Sequence, residues 1–433
     1  MRKSIVIGLV VLALIVLVSP GIVGKLAERS VDTQLDWAAD ENREIEITAS
    51  RFDRRWFSSE GTHRIEFADT PKGAALRELL GFAAGDGEPA IIIETRLDHG
   101  LVPVASMNRE NGSLMPGLGQ AESRISVEAA DGTITPLPGV VHTRIGLTGA
   151  VTSHYALQPG GTADVTWGAA DVEVYGDARN GRVKVSGWAD SFAIDDGNEQ
   201  LQVGRMDVTA DMRHTPFGFS VGDVDLALAS VAANNGDAQA MFGPLSLKSR
   251  SSLDEARVNN DFDLRFSMEQ VPEVGAIEWT IRGRLQDLDA ASVGRLRDGI
   301  KRASDDSLSA DVFAEVEPDL KRLVAAGFAA EFEQFDVTLP EGTLGTTLDF
   351  SIRESDPADF VWTSVLLALQ ARADLRIPKP VFDRIATQNP DLHGAVAMGF
   401  LQLDEGTYRM MAEYRQGLLT VNGNPVPIPV PSM

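Results

Sequence analysis

The chain of 433 residues contains no cysteine. That absence removes disulfides, thiolate nucleophiles and thiolate metal sites together, so stability has to come from packing. Histidine is scarce as well. Six are scattered, at His63, His99, His142, His154, His214 and His393, without the His-x-His or His-x-x-x-His spacing that gathers ligands on one strand or helix face. Ordinary strand and surface histidines are the simpler reading, and no metal site or cofactor is expected. Positive charge is in short supply too: 39 Lys and Arg face 63 Asp and Glu, and the formal net charge of -24 repels phosphate backbones and anionic headgroups alike. No Lys/Arg cluster forms a basic stripe, which argues against a nucleic-acid partner.

What is present is ordinary for a folded protein, with 43% hydrophobic and 24% charged residues. The length exceeds the roughly 250–300 residues at which single cores stop growing, so more than one unit is expected. One long uncharged run stands apart. Met1, Arg2 and Lys3 precede Ser4 to Gly24, a stretch long enough to cross a ~30 Å hydrocarbon core as a helix. Basic residues at its front predict an N-in, C-out signal anchor, although Lys25 and Arg29 weaken the bias. Cleavage as a signal peptide is the competing reading; Ile22-Val23-Gly24 makes a poor small-x-small site. The expected layout is a cytoplasmic tail (1–3), a transmembrane helix (4–24) and an extracytoplasmic body (25–433) at a bacterial inner membrane.

Within the body the dominant hydrophobic period is two. Glu44 to Ile47, His63 to Phe67, Met206 to Arg213, Phe262 to Met268, Ile277 to Arg282 and Leu344 to Ile352 alternate polar with apolar residues, as half-buried strands do. Ile91-Ile92-Ile93 suggests a strand covered on both faces. Turn dipeptides such as Asn180-Gly181, Asn235-Gly236 and Asn422-Gly423 separate the strands. Leu26–Ala39 reads as an amphipathic helix or a continuation of the membrane helix, and helices are also expected over Asp289–Ala303, over Val312–Ala326, with Pro318 splitting it or starting its second half, and over Asp359–Ala371. The expected fold is therefore mainly β with a few helices (α+β), built on long, curved antiparallel sheets, with a weak boundary near residue 215.

Two segments carry a family likeness. Arg51-Phe52-Asp53-Arg54-Arg55-Trp56-Phe57-Ser58-Ser59-Glu60, soon after the apolar span, resembles the Tyr-x-Arg-Gly-Trp-Phe-Ser-Ser segment of the uncharacterised bacterial YdgA family. Gly417-Leu418-Leu419-Thr420-Val421-Asn422-Gly423-Asn424-Pro425 is similar to the same family's closing Gly-x-Leu-x-x-Asn-Gly-x-Pro. Phe52 replaces the usual Tyr and Arg55 the usual Gly. The resemblance implies an inner-membrane anchor and a periplasmic body, and brings no catalytic residues. A looser similarity of layout links the chain to AsmA-type envelope proteins, whose β-rich grooves handle lipid.

Four motifs remain. Gly218-Phe219-Ser220-Val221-Gly222 matches a nucleophile elbow in letters, but Val224 to Leu228 continues as strand where a helix is required. Asp195-Asp196-Gly197-Asn198-Glu199 offers calcium-type oxygen ligands without regular spacing and reads as a hairpin tip. Arg54 and Arg55 beside Trp56-Phe57 suit either a phosphate grip or a core rim. The strand faces Ile277/Trp279/Ile281 and Leu348/Phe350/Ile352 either fill a core or line an apolar groove. The sequence thus points to a non-catalytic envelope protein that shelters lipid or another apolar ligand. The alternatives are an assembly factor that binds envelope protein partners, through an edge strand or the polyproline-like Pro425–Pro431 tail, and a serine hydrolase resting on Ser220.

Overall fold

The computed structural model describes residues 45–427, apart from 55–57, 68–89, 100–118, 129–131, 147, 162–164, 178, 196–199, 235–238, 272–273, 304–309, 357–359 and 390. The expected membrane span and the Leu26–Ala39 helix lie outside the described residues. Among the described ones, no helix is long and apolar enough to cross a membrane. The chain divides into two compact units, Met1–Thr215 with Leu228–Gln239, and Pro216–Ala227 with Ala240–Met433.

The first unit holds β1 (Ile45–Arg54), β2 (Ser58–Phe67), β3 (Ala90–His99), β4 (Gly119–Glu128), β5 (Ile134–Pro136), β6 (Val140–Ile145), β7 (Val151–Leu157), β8 (Gly160–Gly161), β9 (Val165–Trp167), β10 (Ala170–Asp177), β11 (Arg182–Ala189), β12 (Phe192–Asp195), β13 (Gln200–Val203) and β14 (Met206–His214). β15 (Ser220–Leu228) belongs to the second unit up to Ala227, and β16 (Val231–Asn234) returns to the first.

Its main antiparallel ladder runs β1, β2, β3, β4, β6, β7, β10, β11, β14. A shorter ladder runs β8, β9, β12, β13, β16. Backbone bonds bridge the bends between them: Gly168 N donates to Ser191 O, and Gly204 N to Ser230 O. Arg205 secures the bend, pairing with Asp190 and Asp207 while its guanidinium lies 4.9 Å from the Trp188 ring centre.

Period-two burial follows from the pleat, with β6 and β10 burying alternate residues such as Val141, Ile145, Val172 and Val174. Small hydroxyl residues share this dry face and satisfy one another, as Thr143 and Ser153 do at 2.9 Å. β3 departs from the expectation of two covered faces. Ala90 and Ile91 are buried at its start and Asp98 at its end, but Ile92 and Ile93 are only half-buried and Glu94 and Arg96 are exposed, so the middle of the strand has one wet face.

The second unit adds β17 (Gln239–Asp254), β18 (Arg257–Val271), β19 (Gly275–Asp289), α1 (Ala290–Ala303), α2 (Ala310–Ala325), β20 (Phe328–Leu339), β21 (Gly342–Ile352), α3 (Trp362–Ala368), β22 (Leu369–Pro378), α4 (Lys379–Gln388), α5 (Asp391–Ala397), β23 (Gln402–Asp404), β24 (Thr407–Arg415), β25 (Leu418–Val421) and β26 (Asn424–Val426). Here the antiparallel ladder is almost in chain order: β15, β17, β18, β19, β20, β21, β22, β24, β25, β26, with β23 also on β24.

The helices begin and end for local reasons, and two differ from expectation. Asp289 caps α1, its carboxylate accepting from Ser292 N at 2.8 Å. α2 runs unbroken through Pro318. The missing bond there is offset by Asp319, which pairs with Arg295 of α1 and with Arg322, and by burial of Leu323, Val324 and Ala325. The helix expected over Asp359–Ala371 spans only Trp362–Ala368, because Leu369 already pairs with Ile352 and starts β22.

Candidate functional site

One face of the second sheet is apolar from strand to strand. In register, Leu247, Leu264, Ile281, Phe335, Thr346, Leu375 and Met410 make one row across β17 to β24. Phe266, Trp279, Val337 and Leu344 make the next, and Phe262, Phe332, Leu348 and Ala373 a third. Ile277, Trp279, Ile281, Leu348, Phe350 and Ile352 all share this face, as parity requires. Aromatic contacts stiffen it: Phe266 stacks on Trp279 with centroids 4.5 Å apart, while Phe262 meets Phe332 and Phe328 meets Phe350 edge to face.

The two ends of this face are covered. At one, α4 presses Val381 and Phe382 onto Ile377, Leu401 and Tyr408, partly burying Leu339, Leu344, Leu375 and Met410. At the other, Val258 and Ala330 are buried, as is the last turn of α2. Between them the face stays half-exposed: Leu247, Leu264, Phe266, Trp279, Ile281 and Leu348 are all only partly buried, and Phe335 keeps 39% of its surface accessible. A filled core would have buried them almost completely.

The opposite face is charged and internally compensated. Asp263 bonds Arg265 and Arg282, Arg284 bonds Glu333 and lies 3.4 Å from Glu331, and Arg376 bonds Asp374. Burial pushes the Asp263 carboxyl up, but the two arginines outweigh it and hold it below the usual carboxylate range. In the first unit, the Arg182 hydrogen bond, helped by Lys184, holds Asp211 well below that range. Asp263–Arg282, Arg284–Glu333 and Arg182–Asp211 join neighbouring strands and support their register, whereas Asp263–Arg265 and Arg376–Asp374 lie within one strand.

The family-like segments have structural places. Arg51–Glu60 closes the β1–β2 hairpin, with Arg54 opposite Ser59 and Asp53 opposite Glu60; Ser58 opens β2, opposite Asp98 of β3. Trp56 and Phe57 lie outside the described residues. At the other end, Asn422 and Gly423 take φ of 50° and 81°, the left-handed pair that a two-residue hairpin between β25 and β26 demands. Asn422 does more than turn. Its Oδ1 accepts from Met411 N at 2.8 Å, and its Nδ2 donates to Gly399 O and Phe400 O, each at 3.0 Å. Spacing alone identified the turn, whereas the staple to the segment after α5 left no local signal.

Ser220 is exposed at the first position of β15, and the chain continues as strand, so the elbow geometry is missing. Residues 196–199 of the acidic loop lie outside the described residues. The proline-rich tail departs from its expectation at its start: Asn424–Val426 forms β26, with Pro425 opposite Thr420, and residues 428–433 are not described. Among the described residues, no three His, Asp or Glu side chains gather to enclose an ion. The scattered histidines do include one pair, His142 and His154, brought directly opposite each other on β6 and β7.

No curated protein and no solved structure matches the chain. A family model does, over residues 1–429. With almost its whole length matched, the chain belongs to the family described as "Bacterial protein of unknown function (DUF945)".

Proposed function

We propose that this chain is a non-catalytic, membrane-anchored protein of the bacterial periplasm, whose second unit shelters a lipid or another apolar ligand against the open middle of its sheet. The observation that carries the reading is the half-exposed apolar face, with Phe335 39% accessible between two covered ends. Exposed contiguous apolar surface on a soluble body is costly, and its usual reason is an occupant. The uncharged span at Ser4–Gly24 behind Arg2 and Lys3 supports the anchor, and the likeness of the Arg51–Glu60 and Gly417–Pro425 segments to the YdgA family supports the periplasmic placement.

The test uses the full chain with a protease site inserted after Gly24, cut after purification to release the body, followed by mass spectrometry of what the body retains. A lipid is expected on the parent protein and lost from Phe335→Glu, which puts a charge in the middle of the face. A folded parent body that carries no lipid and takes up none from vesicles sinks the proposal.

A further inference from the structure

The connection from β21 to β22 ends in α3, and the stretch from Phe360 to Leu369 contains no charged residue. Tyr414 shows where the helix lies. It stands in the row Phe350–Ala371–Tyr414 on the apolar face of the second unit, two residues along β21 from Leu348, and its hydroxyl donates to Leu366 O at 2.8 Å. α3 therefore overlies the end of that face, with Val365 and Leu366 half-buried. A helix that is apolar all round is normally covered all round. This one is not: Leu367 keeps 64% of its surface exposed, Val361 55% and Trp362 39%. Leu367 Cδ2 comes within 3.7 Å of where a Cβ on Gly417 would stand, and Leu418, next in that turn, is 55% exposed. Trp362 meets Phe360 edge to face with centroids 5.5 Å apart, and its Nε1 donates to Glu317 Oε1 at 3.0 Å, so the exposed part of the ring has no donor that needs water.

We propose that Val361, Trp362, Leu367 and Leu418 dock the second unit on a phospholipid bilayer, at the rim of the open apolar face. The inference rests on the reading of an anchored, lipid-sheltering body and adds the place where the bilayer meets it. Three points carry it. First, the docking group is continuous with the open face: between Leu348 and α3 that face carries Phe350, Ile352, Leu369 and Ala371, and no charge. Second, the corner is electrically balanced on a chain whose formal charge of -24 is otherwise repelled by anionic headgroups. Glu317 pairs with Lys321 at 3.0 Å and Glu413 with Arg415 at 2.6 Å, and Glu354 lies 3.9 Å from Arg257. Third, the side chains at its border are those that suit a headgroup layer. Trp362 presents an indole, the ring enriched at the edge of the hydrocarbon. Arg353 N donates to Ala368 O at 3.3 Å, which places an exposed arginine beside the helix end, and guanidinium matches lipid phosphate.

The lack of cysteine makes the test clean, because a single introduced thiol takes a nitrobenzoxadiazole label at one place. Leu367→Cys, Leu418→Cys and, as a control on exposed β23 near the α4 end of the sheet, Gln402→Cys are labelled in the full chain and reconstituted into nanodiscs of phosphatidylcholine and phosphatidylethanolamine. Nitroxide-bearing acyl chains are expected to quench the first two labels at least about two-fold more than the control, and the same two labels are shielded from aqueous iodide. Adding Trp362→Glu to Leu418→Cys removes both effects. The quenching persists in Phe335→Glu, which empties the open face, so it reports the bilayer and not a bound lipid. First two labels that iodide reaches as freely as the control overturn the proposal, even for a body that retains lipid; so does quenching that vanishes with Phe335→Glu. Labels buried in the bilayer on a body that takes up no lipid leave the docking standing and overturn the sheltering reading alone.

Discussion

Asn422 concentrates several tasks in one side chain: a left-handed turn, an acceptor for Met411 N and donors to Gly399 O and Phe400 O. Asn422→Ala leaves those backbone groups without the bonds and strains the turn, and is expected to cost about 1–3 kcal/mol in denaturant unfolding of the full chain. Asn422→Gly keeps the turn and loses only the bonds, so its cost is smaller. Tyr155 gives a pH-dependent case. Burial raises its hydroxyl to about 12, and the hydroxyl donates to Pro138 O at 2.6 Å. A raised folded pKa confers stability that is complete below the unfolded value of about 10 and is lost as pH rises through the folded one. The thermal midpoint of the parent is therefore expected to fall relative to Tyr155→Phe between about pH 10 and 12. The sequence announced the Asn-Gly turn because turn chemistry is local. It could not announce the Asn422 staple or the His142–His154 pair, because both depend on which distant segments become neighbours.

At the scale of elements, long alternation made β14, β18, β19 and β21 legible, since a period of two over many residues has no competing reading. The segment after Asp359 failed for the complementary reason. Its density of apolar residues resembles a buried helix, and the alternation of Leu369, Ala371 and Ala373 with Gln370 and Arg372, which marks β22, starts inside that run. Pro318 misled differently, because a single lost bond did not outweigh the buried end of α2. The apolar sheet also contains a point of close approach. At the irregularity between β19 and β20, a Cβ on Gly283 would stand 2.6 Å from Glu331 O and 3.0 Å from Phe262 Cζ. Gly283→Ala must push these strands apart, and is expected to lower stability by about 1–3 kcal/mol, read as a shift in the denaturant midpoint.

For the molecule as a whole, a formal charge of -24 acts over a Debye length, whereas the contact ion pairs on the sheet faces are local. Adding salt from a few millimolar to about 0.15 M is expected to raise the thermal midpoint in scanning calorimetry, because uncompensated repulsion is screened more than contact pairs are. A falling midpoint would mean that the pairs dominate. That the middle of the apolar face is open was beyond sequence patterning: alternation marks a dry side, but α4 and α5 decide how much of it they cover. The near-sequential ladder of the second unit has one more consequence, which concerns time. Each of its long strands pairs with the long strand made just before it, so a chain emerging from its N-terminal end finds a template already in place and can grow the sheet by accretion, through tight turns between β17 and β18 and between β20 and β21 and through helix-bearing connections before β20, β22 and β24. Asn422 reaches back across that order, to Gly399 and Phe400. The segment after α5 gains those two bonds only once β25 has been made, so a turn formed later doubles as the latch on that segment.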